Sequence, residues 1–133
     1  MPFIELDKDL SDFVDVEIDE HHRRLATMIN ALHDKQGDRK ATQEGLEALL
    51  EATRQHFRDE EQAMEAMSFP LWEEHTTAHV RLLDTLTGVH AACERGVAAL
   101  DEHMFKVLRS WLLEHIRNHD KLLDHFMRNR QPK

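Results

Sequence analysis

The stretch "FPLWEEHTTAH", Phe69 to His79, ends in two histidines four residues apart. On an α-helix that spacing stacks both imidazoles on one face, from adjacent turns. The pair alone decides little. The chain has 11 histidines in 133 residues, so roughly one H-x-x-x-H is expected by chance. A second, His115 and His119, is indeed present. The flanking residues carry the reading. Pro70 is a favourable first-turn residue and Ser68 a candidate cap. Trp72, His75, His79, Leu82, Leu86 and Cys93 then share one face up to Gly96. That period predicts a helix from Pro70 to near Gly96.

The same period recurs three times. One segment runs from about Asp19 to Lys35 with His22, Leu25, Ile29 and Leu32 on its stripe. Another runs from about Thr42 to Met67 with Leu46, Leu49, Thr53, His56, Glu60 and Met64. The last starts near Asp101 and carries Met104, Leu108, Trp111, Leu112 and His115. Turn residues fall between them in "KQGDRK", "MSFP" and "ERGVA". Short connections make consecutive helices antiparallel neighbours. The expected fold is therefore all-α: one domain over residues 1–133, built as an up-down-up-down antiparallel four-helix bundle over residues 19–128. Residues 1–18 are expected to form an extended arm packed through Phe3, Ile4, Phe13 or Val16, and the C-terminus a short helical tail.

Bulk composition agrees. Hydrophobic residues make up 41% and charged residues 32%, with four glycines, three prolines and no tyrosine. A net charge of −9 repels phosphate backbones and anionic lipid, so nucleic acid and membrane insertion are not expected. The acidic N-terminus has no long apolar run, which makes the cytoplasm the default location. The single Cys93 cannot form an internal disulfide and reads as a small buried apolar residue.

Every stripe passes through a histidine at a core position. Burying an unpaired polar group costs about 1–3 kcal/mol, and a cluster of imidazoles and carboxylates multiplies that cost. A cation removes it, because neutral imidazole and carboxylate are both satisfied as ligands. The pairs His56/Glu60 and His75/His79 can each deliver two ligands to a dinuclear site in a bundle core. Five histidines with one or two carboxylates are nitrogen-rich for magnesium or calcium. Iron, manganese, copper or zinc remain, and spacing does not choose among them.

The order of the motifs is the specific signal. "IDEHH", "HFRDEEQAME", "FPLWEEHTTAH" and "WLLEHIRNHDK" supply H, H-x-x-x-E, H-x-x-x-H and H-x-x-x-x-D, one per expected helix. This set resembles the hemerythrin (HHE cation-binding) family, in the single-domain form of the bacteriohemerythrins, from Ile18 to about Phe126. The resemblance implies the metal ligands His22, His56, Glu60, His75, His79, His115 and Asp120. It implies two iron ions joined by an oxo or hydroxo group and by Glu60 and Asp120. His75, His79 and His115 would serve one ion, and His22 and His56 the other, which keeps an open position for dioxygen. Leu25, Phe57, Trp111, Leu112 and Ile116 resemble the family's apolar oxygen pocket; each alone reads more readily as ordinary core, and only their shared adjacency to ligands brings the two readings level.

The function implied is reversible oxygen binding for storage, transport or supply, by a monomer that is not an enzyme and that could serve an oxygen-consuming enzyme. The alternative is a diiron enzyme or sensor handling peroxide or nitric oxide. His21 is then the non-ligating neighbour of His22. Spacing alone would choose His119 over Asp120 as partner to His115, since five residues on an ideal helix turn through about 140°. Asp120 requires the helix to end or bend near Arg117 or Asn118, and a second carboxylate better neutralises two divalent ions. His33, His90, His103 and His125 read as surface or interface residues, and "RDEE" and "WEEH" as solvated faces apart from the ligands in them. Two departures from the family stand out: the arm "DLSDFVDVEIDE" lacks glycine, and the chain lacks tyrosine.

Overall fold

The structure is a computed structural model and describes residues 3–6, 16–96 and 100–130. It contains α1 (Val16–Asp34), α2 (Arg39–Ala66), α3 (Trp72–Glu94), α4 (Glu102–His115), a π-helical turn (Ile116–Asp120) and α5 (Lys121–Arg130). No strand occurs among the described residues. Helix α2 packs against both α1 and α3, and α4 closes back onto α1. The four long segments form a four-helix bundle, and α5 prolongs the fourth through the π turn.

Local chemistry explains where the elements begin. Helix α1 is already helical at Val16, three residues before the expected Asp19, and buried Ile18 adds a further turn to the stripe of His22, Leu25, Ile29 and Leu32. Helix α2 takes in Arg39 and Lys40 because the Asp38 carboxylate accepts from the Ala41 N–H at 3.1 Å, satisfying an orphan donor of the first turn. Asp101 caps α4 in the same way, accepting from the Met104 N–H at 3.0 Å.

Helix α3 departs from expectation. It starts at Trp72 rather than Pro70, and its cap position, Leu71, makes no side-chain bond. Ser68 does not cap it. Ser68 instead closes α2, with a left-handed φ of 53°. Its N–H donates to the Glu65 carbonyl at 3.2 Å, and the Phe69 N–H donates to the Met64 carbonyl at 3.0 Å. These two bonds and the buried pair Met64 and Phe69 make a Schellman ending. Trp72, expected on the buried stripe, is 42% exposed. Helical side chains lean toward the N-terminus, so the ring of the first residue leans off the end of its helix.

The core is aliphatic and aromatic around the polar cluster, with Leu25, Ile29, Leu46, Leu49, Leu86, Phe105 and Leu108 all buried. A Cβ at Gly45 would lie 2.6 Å from Leu32 Cδ2, so glycine there permits the close approach of α1 and α2. Of the expected arm contacts, Phe3 stacks on His33 with ring centres 4.3 Å apart. Ile4 is buried, donating from N–H to Asn30 Oδ1 at 2.7 Å and accepting from Asn30 Nδ2 at 2.9 Å. Val16 lies in α1, and Phe13 lies outside the described residues. No described helix is long and apolar enough to cross a membrane.

Candidate metal centre

Seven side chains converge between the helices: His22 from α1, His56 and Glu60 from α2, His75 and His79 from α3, His115 from α4 and Asp120 from the π turn. None is more than 6% exposed. The carboxylate of Asp120 divides its oxygens. Oδ1 lies 2.9 Å from His75 Nε2 and 3.1 Å from His115 Nε2, while Oδ2 lies 2.7 Å from His22 Nε2. Glu60 divides likewise: Oε1 lies 2.6 Å from His75 Nε2 and 3.0 Å from His79 Nε2, and Oε2 3.4 Å from His56 Nε2.

Two donor sets result, each with ligating atoms within 4.8 Å of one another. One comprises Glu60, His75, His79, His115 and Asp120, and the other His22, His56, Glu60 and Asp120. They share both carboxylates and differ by one imidazole. His56 Nε2, Glu60 Oε2 and His115 Nε2 are buried, and their approaches to a charged neighbour lack hydrogen-bond geometry. Unpartnered buried polar atoms are costly, and all three belong to the set that could ligate a cation.

Of His119 and Asp120, the fourth helix brings Asp120 into the cluster. At Ile116–Asp120 the backbone adopts a π turn, in which hydrogen bonds span five residues instead of four. Residue 120 thereby occupies the face that residue 119 would have held, and the Asp120 carboxylate reaches His115. The distortion falls where a bend had been expected. His119 is half-buried, its ring centre 5.6 Å from that of His75 and 5.3 Å from that of His115. It belongs to neither donor set.

Burial pushes His56 and His79 down to about 3, so both imidazoles are neutral with a lone pair available. Burial, reinforced by the charge of Asp120, pushes Glu60 up to about 8. Burial also opposes a charge on His75, yet its hydrogen bonds to Asp120 and Glu60 prevail and raise it to about 9. Asp120 is buried too, but the imidazoles of His115, His22 and His75 hold its carboxyl well below the usual range. Without a cation, then, the cluster retains protons between Glu60 and His75.

Two outer partners escaped the sequence reading. The Glu61 carboxylate accepts from His79 Nδ1 at 2.7 Å, although "RDEE" reads as a solvated run and Glu61 is 34% exposed. His21 Nδ1 lies 2.9 Å from His56 Nδ1, with the rings edge to face. The available signal was position: both residues adjoin a ligand in sequence.

A cavity of about 10 Å³ lies beside the smaller donor set, walled by Leu25, Phe57, Leu82, Trp111 and Leu112 together with His22, His56, His115 and Asp120. Four of the five expected pocket residues line it. Ile116 does not; it is buried in the core nearby, because the π turn directs Asp120, not the residue after His115, toward the cavity wall. Leu82 contributes instead. Phe57 also stacks on His79, ring centres 3.8 Å apart, screening that imidazole from the apolar side.

A family profile described as the hemerythrin HHE cation binding domain matches residues 14–124. The chain belongs to the hemerythrin family. Its relatives include a bacteriohemerythrin of Stenotrophomonas maltophilia, 32% identical over 85% of this chain and 74% of the relative. A myohemerythrin of Theromyzon tessulatum is 32% identical, covering 78% of each chain. Among solved structures, a wild-type hemerythrin crystal structure superposes with a TM-score of 0.78 at 27% identity, covering 81% of this chain and 85% of that one. In this hemerythrin the donor chemistry fits a transition-metal pair. Five imidazoles and two shared carboxylates, with no thiolate, suit such ions better than magnesium or calcium.

Proposed function

We propose that this hemerythrin binds dioxygen reversibly at two iron ions held by His22, His56, Glu60, His75, His79, His115 and Asp120. The observation that carries the reading is the division of the Glu60 and Asp120 oxygens between two histidine sets of unequal number, with an apolar cavity on the poorer side. Bound there, two ferrous ions would supply the electrons that reversible dioxygen binding needs. The chain does the rest. His75, His79 and His115 would hold one ion; His22 and His56 would hold the other with one donor fewer, beside the cavity. A single water needs roughly 10–15 Å³, so a space of about 10 Å³ admits only a very small ligand. Leu25, Phe57, Trp111 and Leu112 keep that space dry, which limits proton leakage.

Every titratable side chain on the cavity wall is a cluster member, so no spare acid or base stands ready for turnover. That favours carriage over the alternative of a peroxide- or nitric-oxide-handling enzyme or sensor. We read the chain as one domain acting as a cytoplasmic monomer that stores oxygen or supplies it to an oxygen-consuming enzyme. The test is anaerobic loading with ferrous iron, followed by absorption spectra before air, after air and after oxygen is removed again. New charge-transfer bands that come with air and vanish on deoxygenation fit a carrier. Bands that decay irreversibly point to an oxidase or peroxidase, and failure to take up iron overturns the site.

A further inference from the structure

An imidazole that ligates through Nε2 must carry its proton on Nδ1, and whatever accepts that proton fixes the tautomer and the ring orientation. The cluster meets this requirement in two different ways. Behind His79 stands an acceptor-only group, the Glu61 carboxylate, 2.7 Å from Nδ1. Behind His56 stands a second imidazole, His21, with Nδ1 2.9 Å from Nδ1. Only one proton fits between two nitrogens at that distance. If His56 donates it, His21 Nδ1 must present a lone pair, so His21 carries its own proton on Nε2. The ring geometry suits this: the two planes meet at 88° with centres 4.9 Å apart, which directs one ring's edge toward the other. His56 Nε2, at the far end of the ring, is one of the buried atoms without a hydrogen-bond partner.

We propose that His21 is a positioning residue: its Nδ1 accepts the Nδ1–H of His56 and commits His56 Nε2 to the cation. The inference rests on the reading of the cluster as a cation centre. It concerns the smaller donor set alone, because His56 is absent from the larger one. Loss of the acceptor leaves His56 free to place its proton on Nε2, where it blocks ligation. It also strands a buried N–H in the ligating tautomer. Outer-partner losses of this kind typically weaken metal binding roughly 10–100-fold.

The experiment compares His21→Leu, which cannot accept, with His21→Gln, whose side-chain oxygen can. Each protein is titrated with zinc(II), and the ring protons are followed by NMR with ¹⁵N-labelled histidine in the diamagnetic zinc form. Wild type and H21Q are expected to take two ions per chain and show a slowly exchanging His56 Nδ1–H. H21L is expected to keep the first ion, bind the second at least tenfold more weakly and lose that proton signal. Equal second-ion affinity in H21L and wild type would overturn the proposal. So would equal weakening in H21Q and H21L, and if H21L fails to fold, a second ion bound tenfold or more weakly by H21Q than by wild type would overturn it. A wild-type chain that takes up no zinc would instead overturn the cation centre itself.

Discussion

Helix α3 and the fourth helix deliver their side chains to the cluster by different backbones. His75 and His79 reach the cluster from consecutive turns of an uninterrupted α-helix, four residues apart. His115 and Asp120 are five apart and meet only because the helix relaxes into a π turn between them. The chemistry delivered is the same: each pair contacts one of the shared carboxylates or supplies it. Ligand geometry thus governs the backbone here. One extra residue is absorbed as a bulge where a buried carboxylate is held by three imidazoles, His22, His75 and His115.

Adding one residue to α3 should break this equivalence most severely. An alanine inserted between Thr77 and Ala78 turns His79 by about 100° and shifts every core residue after it. We expect loss of metal uptake and of cooperative unfolding, read by metal analysis and thermal denaturation. A variant that still binds two ions would mean that either helix can absorb an extra residue. Asp120→Asn should come next, because both donor sets lose a charge. Outer-partner changes already weaken binding roughly 10–100-fold, so this direct one should exceed about 100-fold in a competition with a chelator. An effect below tenfold would remove Asp120 from the ligand set.

The third outcome concerns protons. Glu60 is held up to about 8 and His75 up to about 9, so at pH 7 this pair retains protons that a cation must displace. His56 and His79, at about 3, have none to give. Metal uptake at pH 7 should therefore release at least one proton per chain, and that release should fade as pH rises through 9. Calorimetry in buffers of different ionisation enthalpy measures it. Uptake without release would contradict the assigned directions.

Deleting exposed Asn118 should matter far less than the α3 insertion. Asp120 then stands four residues after His115, the spacing α3 already uses, and the turn can become ordinary α-helix. Two ions should still bind, with stability within about 1 kcal/mol of wild type, as for surface changes. Loss of metal would show that the bulge itself shapes the site. The smallest change is a control at the exposed C-terminal end of α2. Ser68→Gly relieves a left-handed φ that disfavours L-residues, offset in part by glycine's greater freedom when unfolded. A gain of about 0.5 kcal/mol is expected, visible as a small rise in Tm, with metal binding unchanged.

The bundle was readable because its stripes are long and regular: Leu46, Leu49, Thr53, His56, Glu60 and Met64 all lie buried as their spacing requires. Asp101 announced its helix through ordinary capping. The π turn left no local mark, since "IRNHD" contains neither glycine nor proline, and only the whole ligand set makes Asp120 preferable to His119. Ser68 misled because a serine before a helix usually caps it, whereas here the preceding helix claimed the residue. Glu61 and His21 were hidden for another reason. A residue beside a ligand points roughly 100° away from it on the same helix, and its partner lies on a different helix, so no spacing rule connects them.

The arm's attachment has a consequence for the chain as a polymer. Asn30 offers its side-chain amide to Ile4 as a neighbouring strand would offer a peptide group, one bond in each direction. A single rung of β-ladder is thus built with a side chain and ties residue 4 to residue 30. That rung closes a ring through the first helix, and its closing entropy is met by buried Ile4 rather than by any metal. The arm and the buried histidine–carboxylate cluster are therefore held by separate contacts, although both are anchored on α1.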